Sequence, residues 1–265
     1  MLSPEIESLL MEPRHDFNSL VRIMALLRSE GGCPWDREQT HQSIRANLIE
    51  ETYEVVEAID REDPVLMREE LGDALLQVVF HACISEEAGE FSMDDVVHDI
   101  CEKLIHRHPH IFAHGEGGSA AQVLDTWEKI KTEEKQRVGL SGSLAAVPPA
   151  LPALMRAQKC VKKAAKAGVR IDLPDAARQV SDAAVELARH TEDADPSAAA
   201  DEIQRVLFST AAIAQYMNLD AEELLTRRTD RFISDLTKEE AEGDCADWDD
   251  CRREEAAERA FDKKN

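Results

Sequence analysis

No segment of this 265-residue chain sustains the every-second-residue alternation of Val, Ile and Thr that marks a half-buried strand, and aromatic residues make up only 5% of it. Both shortages weigh against sheet architectures, while abundant Ala, Leu, Glu and Arg weigh for helix, so the expected fold class is all-α. Long apolar runs are missing too. The longest are short and broken by charge, and no segment is expected to span a bilayer. The six cysteines (Cys33, Cys83, Cys101, Cys160, Cys245, Cys251) form no CxxC pair and follow no signal-peptide pattern, which predicts reduced thiols and a cytoplasmic location. Basic residues are scarce, 31 against 54 acidic ones, for a net charge of -23. That balance argues against a nucleic-acid duplex or an anionic membrane as the main partner. An anionic ligand would need divalent cations and a few well-placed basic residues to offset the repulsion.

Four helical patterns stand near residues 16–29, 41–61, 65–88 and 93–107, joined by "GGCPWD", "REDP" and "AGEFS". Such short connections favour antiparallel neighbours in a compact bundle. Residues 138–154, rich in Gly, Ser and Pro, read as a linker between residues 1–137 and 155–240, with a charged tail at 241–265. The two sides resemble each other. A shift of 132 positions lays "LGDALLQVVFHACI" from Leu71 onto "IQRVLFSTAAIAQY" from Ile203, and Glu50 and Glu54 onto Asp182 and Glu186. After a four-residue slip, "FSMDDVV" from Phe91 matches "LDAEELL" from Leu219. A constant offset over two helices predicts a tandem repeat of one helical unit.

The segment 69–84 reads as a buried helix holding one residue that does not belong. With Glu70 at zero on a helical wheel, Asp73 falls at ~300°, between Phe80 at ~280° and Ile84 at ~320°. A carboxylate on an apolar stripe is costly unless it is paired or bound to metal. The preceding helix carries Glu50, Glu51 and Glu54 within ~100° of arc, with Leu48, Tyr53, Val55, Val56 and Ile59 on the opposite side. Packed antiparallel, the two helices can bring Glu51, Glu54, Glu70 and Asp73 to one point. A hard divalent cation with oxygen ligands, Mg²⁺ before all, would relieve their mutual repulsion and share its remaining positions with phosphates. The alternative is an ion pair of Asp73 with Arg45 or Arg68, which leaves the glutamates unexplained.

The pattern "EETYE" (Glu50 to Glu54) followed by "ELGD" (Glu70 to Asp73) resembles the all-α nucleoside triphosphate pyrophosphohydrolases. "GGCPWDREQTHQSI", "HRHPHIFAH", "DTWEKIKTEEK" and "LPALMRAQK" resemble the MazG family specifically. The resemblance is close over residues 14–170 and loose beyond. It implies a dimerising helical bundle that hydrolyses a nucleoside triphosphate to monophosphate and pyrophosphate with Mg²⁺, Mn²⁺ being a possible substitute. It further implies Glu51, Glu54, Glu70 and Asp73 as metal ligands, Glu50 as a further catalytic carboxylate, and Lys103 and Arg107 as phosphate contacts. A lone Trp at a helix entrance commonly plugs a bundle end. The resemblance turns Trp35 toward base contact, and it joins the candidate substrate-binding residues. Narrower relatives acting on dUTP, dCTP or phosphoribosyl-ATP are the enzymatic alternative, and an acidic helical interaction protein is the non-enzymatic one.

The cluster His106, His108, His110 and His114 invites a zinc assignment, but Pro109 interrupts the helix between them and a helix end followed by a turn is the better account. At the repeat positions, Glu51 becomes Ala183 and Asp73 becomes Arg205, while the slipped alignment turns Lys103 and Arg107 into Arg231 and Asp235. The second copy is therefore expected to be degenerate, keeping packing without chemistry.

Overall fold

A computed structural model describes residues 3–113, 119–135, 139–192 and 195–242. Among these residues all regular structure is helical: α1 Pro4–Leu10, α2 Phe17–Arg28, α3 Pro34–Glu38, α4 Arg45–Asp60, α5 Pro64–Glu87, α6 Met93–Arg107, α7 Pro109–Phe112, α8 Ala120–Lys135, α9 Leu140–Ala145, α10 Ala153–Lys166, α11 Leu173–Glu192, α12 Pro196–Tyr216 and α13 Ala221–Glu242. The all-α expectation holds. The chain divides into two compact units, residues 1–133 and 134–265.

In the first unit the helix boundaries follow local capping chemistry. Asp16 and Ser19 form a capping box at the start of α2, and Ser92 and Asp95 form another at α6. Asp63 accepts from the backbone N–H groups of Val65 and Leu66 at the start of α5, where Pro64 supplies a preset φ at a position that needs no donor. Gly89, at φ +70°, turns the chain from α5 toward α6. Met24, Ile44, Val79, Phe80, Ala82 and Met93 build the core where α2, α5 and the start of α6 meet. Part of the "GGCPWD" connection is itself one helical turn, because Pro34 opens α3.

Arg28 ties the connection that follows α2 to the far end of α5. Its Nε and Nη2 donate to the two carboxylate oxygens of Glu87, each at 2.7 Å, and its Nη1 donates to the carbonyls of Asp36 and Gln39. The guanidinium also lies over the Phe80 ring, 5.3 Å from its centroid.

The second unit packs α10, α11, α12 and α13 around small side chains, Ala183, Ala199, Ala211, Ala212 and Ala214 all being buried. Buried Gln158 accepts from Ala221 N and donates to Leu219 O, closing the turn into α13. Asp195 caps α12 as Asp63 caps α5, each followed by Pro, at the 132-residue offset (195 − 63). Ala211, Ala212 and Ala214 are buried 132 positions after the buried Val79, Phe80 and Ala82. The segment 138–154 contains α9, and the tail beyond residue 242, with Cys245 and Cys251, lies outside the described residues.

Candidate metal centre

Helices α4 and α5 form an antiparallel hairpin through Arg61–Asp63, so residues equally far from Glu62 stand side by side. Glu51 and Asp73 are such a pair, eleven positions either way (62 − 51 and 73 − 62). Glu54 lies one turn from Glu51, and Glu70 one turn from Asp73. Glu51, Glu70 and Asp73 each present an oxygen within 4.8 Å of the others. Burial, then the hydrogen bond and charge of Glu54, then Asp73 and Glu70 push the Glu51 carboxyl above its ordinary range. Glu70 is pushed up by burial and then by Glu54, Glu69 and Asp73. Glu54 thus presses on both partners from just outside the triad, while Glu50 is exposed.

The donor set fits a hard cation. It is all oxygen, charged and convergent, and Glu51 and Glu70 within it hold protons more tightly than isolated glutamates do, through burial first and the neighbouring like charges second. The alternative pairing fails: among the described residues no ion pair joins Asp73 to Arg45 or Arg68. One premise needs correction. Asp73 is exposed, not buried on an apolar stripe, and a separate face of α5, on the far side of the wheel from Asp73, exposes Leu71, Leu75 and Val78 at 52%, 40% and 39%. The wheel neighbours of Asp73, Phe80 and Ile84, do pack in the core, but they stand about two and three turns further along α5, where that face is covered, whereas at Asp73 it is open. Helix α4 likewise turns apolar residues outward, exposing Tyr53, Val56 and Ile59 while Glu51 and Glu54 sit half-buried near the seam with α5.

The other candidates stand on other elements. Trp35 is 59% exposed on α3, so it plugs nothing among the described residues. Lys103 is exposed on α6, and the Arg107 guanidinium lies 5.3 Å from the Trp127 ring centroid on α8. The histidine cluster supplies no metal group among the described residues. His108 ends α6 with Nδ1 2.6 Å from Leu104 O, the His108 and His110 rings meet at a tilt, and His114 lies outside those residues.

Sequence reasoning passed over a second polar group on the same seam. From Asp73 every fourth residue of α5 is polar: Gln77, His81, Ser85. His81 Nδ1 lies 2.8 Å from Nδ1 of His41, the two rings stack at 5.1 Å and 7°, and His41 Nε2 reaches Ser85 Oγ at 3.2 Å. Burial first, and His41 second, push the His81 imidazole below its ordinary value. Gln77 Oε1 and His81 Nε2 are both buried without a hydrogen-bond partner. The four-residue spacing was the available signal.

In the second unit, at the 132-residue offset, two of the four carboxylate positions are acidic, Glu186 and Glu202, and two are not. By that offset Glu51 falls on Ala183, which is fully buried, and Asp73 on Arg205, which donates to Glu202 at 2.8 Å. Glu186 pairs with Arg189 at 2.8 Å.

Residues 39–112 match the model of the MazG nucleotide pyrophosphohydrolase domain, a span that takes in α4, α5, the converging Glu51, Glu70 and Asp73, and Glu54 beside them. The chain is 41% identical over 224 residues to the nucleoside triphosphate pyrophosphohydrolase/pyrophosphatase MazG of Thermotoga maritima, covering 84% of this chain and 85% of that one. It is 39% identical over 222 residues to the nucleoside triphosphate pyrophosphohydrolase of Escherichia coli K12, covering 82% and 84%. An uncharacterised Bacillus subtilis protein, YabN, is 49% identical over 148 residues, 56% of this chain and 30% of its own. With that identity sustained over most of both chains, and with the matched domain centred on the carboxylate hairpin, this protein belongs to the MazG nucleotide pyrophosphohydrolase family.

Proposed function

We propose that the first unit hydrolyses a nucleoside triphosphate to the monophosphate and pyrophosphate at the α4–α5 carboxylates. The observation that carries this is the convergence of Glu51, Glu70 and Asp73 within 4.8 Å inside the matched domain. The two relatives named above as nucleoside triphosphate pyrophosphohydrolases support the same reaction class. Glu51, Glu70 and Asp73, with Glu54 beside them, would hold Mg²⁺, or Mn²⁺ in its place. When bound, such a cation supplies positive charge against the phosphates and acidifies water. Glu50, exposed on the same helix turn, is the remaining carboxylate for orienting the attacking water. Lys103 and Arg107, one turn apart near the end of α6, are the phosphate contacts of this reading. Arg107 and Asp73 are equally far in sequence from Glu90 in the turn between α5 and α6 (107 − 90 and 90 − 73).

The outward apolar faces of α4, α5 and α6 support a homodimer. Tyr53, Val56, Leu71, Leu75, Ile100 and Leu104 are each 40% exposed or more, more apolar surface than a solitary bundle ordinarily leaves in water. Among the described residues no helix is long and apolar enough to cross a membrane. The second unit, with Arg205 and Ala183 in place of metal ligands, contributes packing.

Product analysis tests the reading. Pyrophosphate and monophosphate are expected from at least one of the eight common nucleoside triphosphates, with complete loss in EDTA. Orthophosphate and diphosphate as primary products would overturn it.

A further inference from the structure

We propose that Gln77 and His81, backed by His41, bind the hydrogen-bonding edge of the nucleotide's base; the inference rests on the substrate class proposed above. Gln77 is 7% exposed, and its Oε1, like His81 Nε2, is buried with nothing to bond. Folded proteins pair nearly all such atoms, so two orphans one turn apart on a single helix need an explanation. They lie on the helix that supplies Glu70 and Asp73. Gln77 is ~6 Å and His81 ~12 Å further along the axis than Asp73, the interval a ribose bridges between phosphates and base.

Gln77 Oε1 can only accept, and every common base offers an N–H on its pairing edge. His81 Nε2 accepts when His81 Nδ1 donates to His41, and donates when His41 supplies that proton. The tautomer of the histidine pair thus sets which second group the site matches. His41 is exposed on the segment between α3 and α4, and Trp35, exposed on the neighbouring α3, offers a flat face for stacking.

The second copy gives independent support. At the 132-residue offset Gln77 becomes Ser209, His81 becomes Ile213 and His41 becomes Leu173. The unit with Ala183 and Arg205 at the positions of Glu51 and Asp73 also has neither the glutamine nor either histidine, and Ser209 alone is polar there. A line that served packing alone would have had no reason to go with those two carboxylates.

Imidazole nitrogen NMR of the full chain gives a test that does not depend on turnover. Millimolar nucleoside monophosphates should shift the His81 ring signals, and ribose 5-phosphate should not. Gln77→Leu and His81→Phe should lower kcat/KM at least tenfold, through KM and unequally among bases, with inhibition by pyrophosphate unchanged within twofold. Gln77→Leu should hold or raise the Tm, because it removes a buried unpaired carbonyl. Equal shifts from ribose 5-phosphate, a uniform fall in kcat alone, or a lowered Tm with unchanged nucleotide kinetics would each overturn the assignment and leave the orphans as the lining of a buried water. Failure of the wild type to release pyrophosphate would instead sink the proposed reaction, and monophosphate-specific shifts at His81 would still stand.

Discussion

Replacing Arg28 with Ala removes a guanidinium whose side chain is 5% exposed and whose three nitrogens hold four acceptors on two elements. The paired bonds to Glu87 would be worth more in a closed interior, but that carboxylate is 46% exposed and is rehydrated once released, which leaves roughly 1–2 kcal/mol. The carbonyls of Asp36 and Gln39 each lose their charged donor, at about 1 kcal/mol apiece. The stem and the contact with Phe80 add roughly 0.5–1 kcal/mol. The expected loss is about 3–5 kcal/mol, against about 1 kcal/mol for Glu87→Gln, which keeps one acceptor and leaves both carbonyls served. The difference has a pH signature. Arg28, by hydrogen bond and then by charge, holds the Glu87 carboxyl below its ordinary 4.5. Its stabilisation is therefore fully present above that value and is lost as pH falls through the lower folded value. Urea titrations followed by hydrogen exchange of α2 and α5 amides, at neutral pH and below pH 4, read both effects. A loss under 1 kcal/mol for Arg28→Ala, or a wild-type advantage that does not shrink in acid, would refute the reasoning.

Asp73→Asn and Glu54→Gln should cut turnover roughly 10²-fold or more while raising the Tm in EDTA, since each removes one of the crowded like charges. A sharp Tm loss with intact turnover would make these residues structural. Glu51 and Glu70, with pKa values raised first by burial and then by their neighbours, bind more protons folded than unfolded. The metal-free protein should therefore gain stability as pH falls through those raised values, while Mn²⁺ affinity, read by electron paramagnetic resonance, should begin to weaken at a pH above that of ordinary glutamates. Leu75→Glu, on the outward face of α5, should convert a dimer into monomer by sedimentation without unfolding the hairpin. Glu186→Gln and Glu202→Gln should leave turnover unchanged, because those carboxylates serve Arg189 and Arg205.

Helix boundaries were legible because they are set locally: Asp63 before Pro64 and Ser92 before Asp95 satisfy orphan N–H groups within a few residues, whatever the rest of the chain does. The carboxylate pattern was legible for a related reason. Spacings of three and four fix which side chains share a helix face, and a three-residue connection sets α4 against α5 in antiparallel register. What periodicity could not decide was which face turns inward. Tyr53 and Val56 form the apolar side of the α4 wheel and the segment 69–84 reads as a buried helix, yet Tyr53, Val56, Leu71 and Leu75 face outward, while Glu51 and Glu54 lie half-buried near the seam. A wheel measures the segregation of apolar residues, and both the core and an intermolecular face satisfy it. The pairing of His41 with His81 across forty residues, and the orphaned atoms of Gln77 and His81, depend on helix packing and side-chain rotamers that no local pattern encodes. The residue types and spacings of the carboxylate centre were thus determined by the sequence itself. The inside, the outside and the long-range polar partners were decided by tertiary packing, because burial belongs to the assembled helices and not to any one of them.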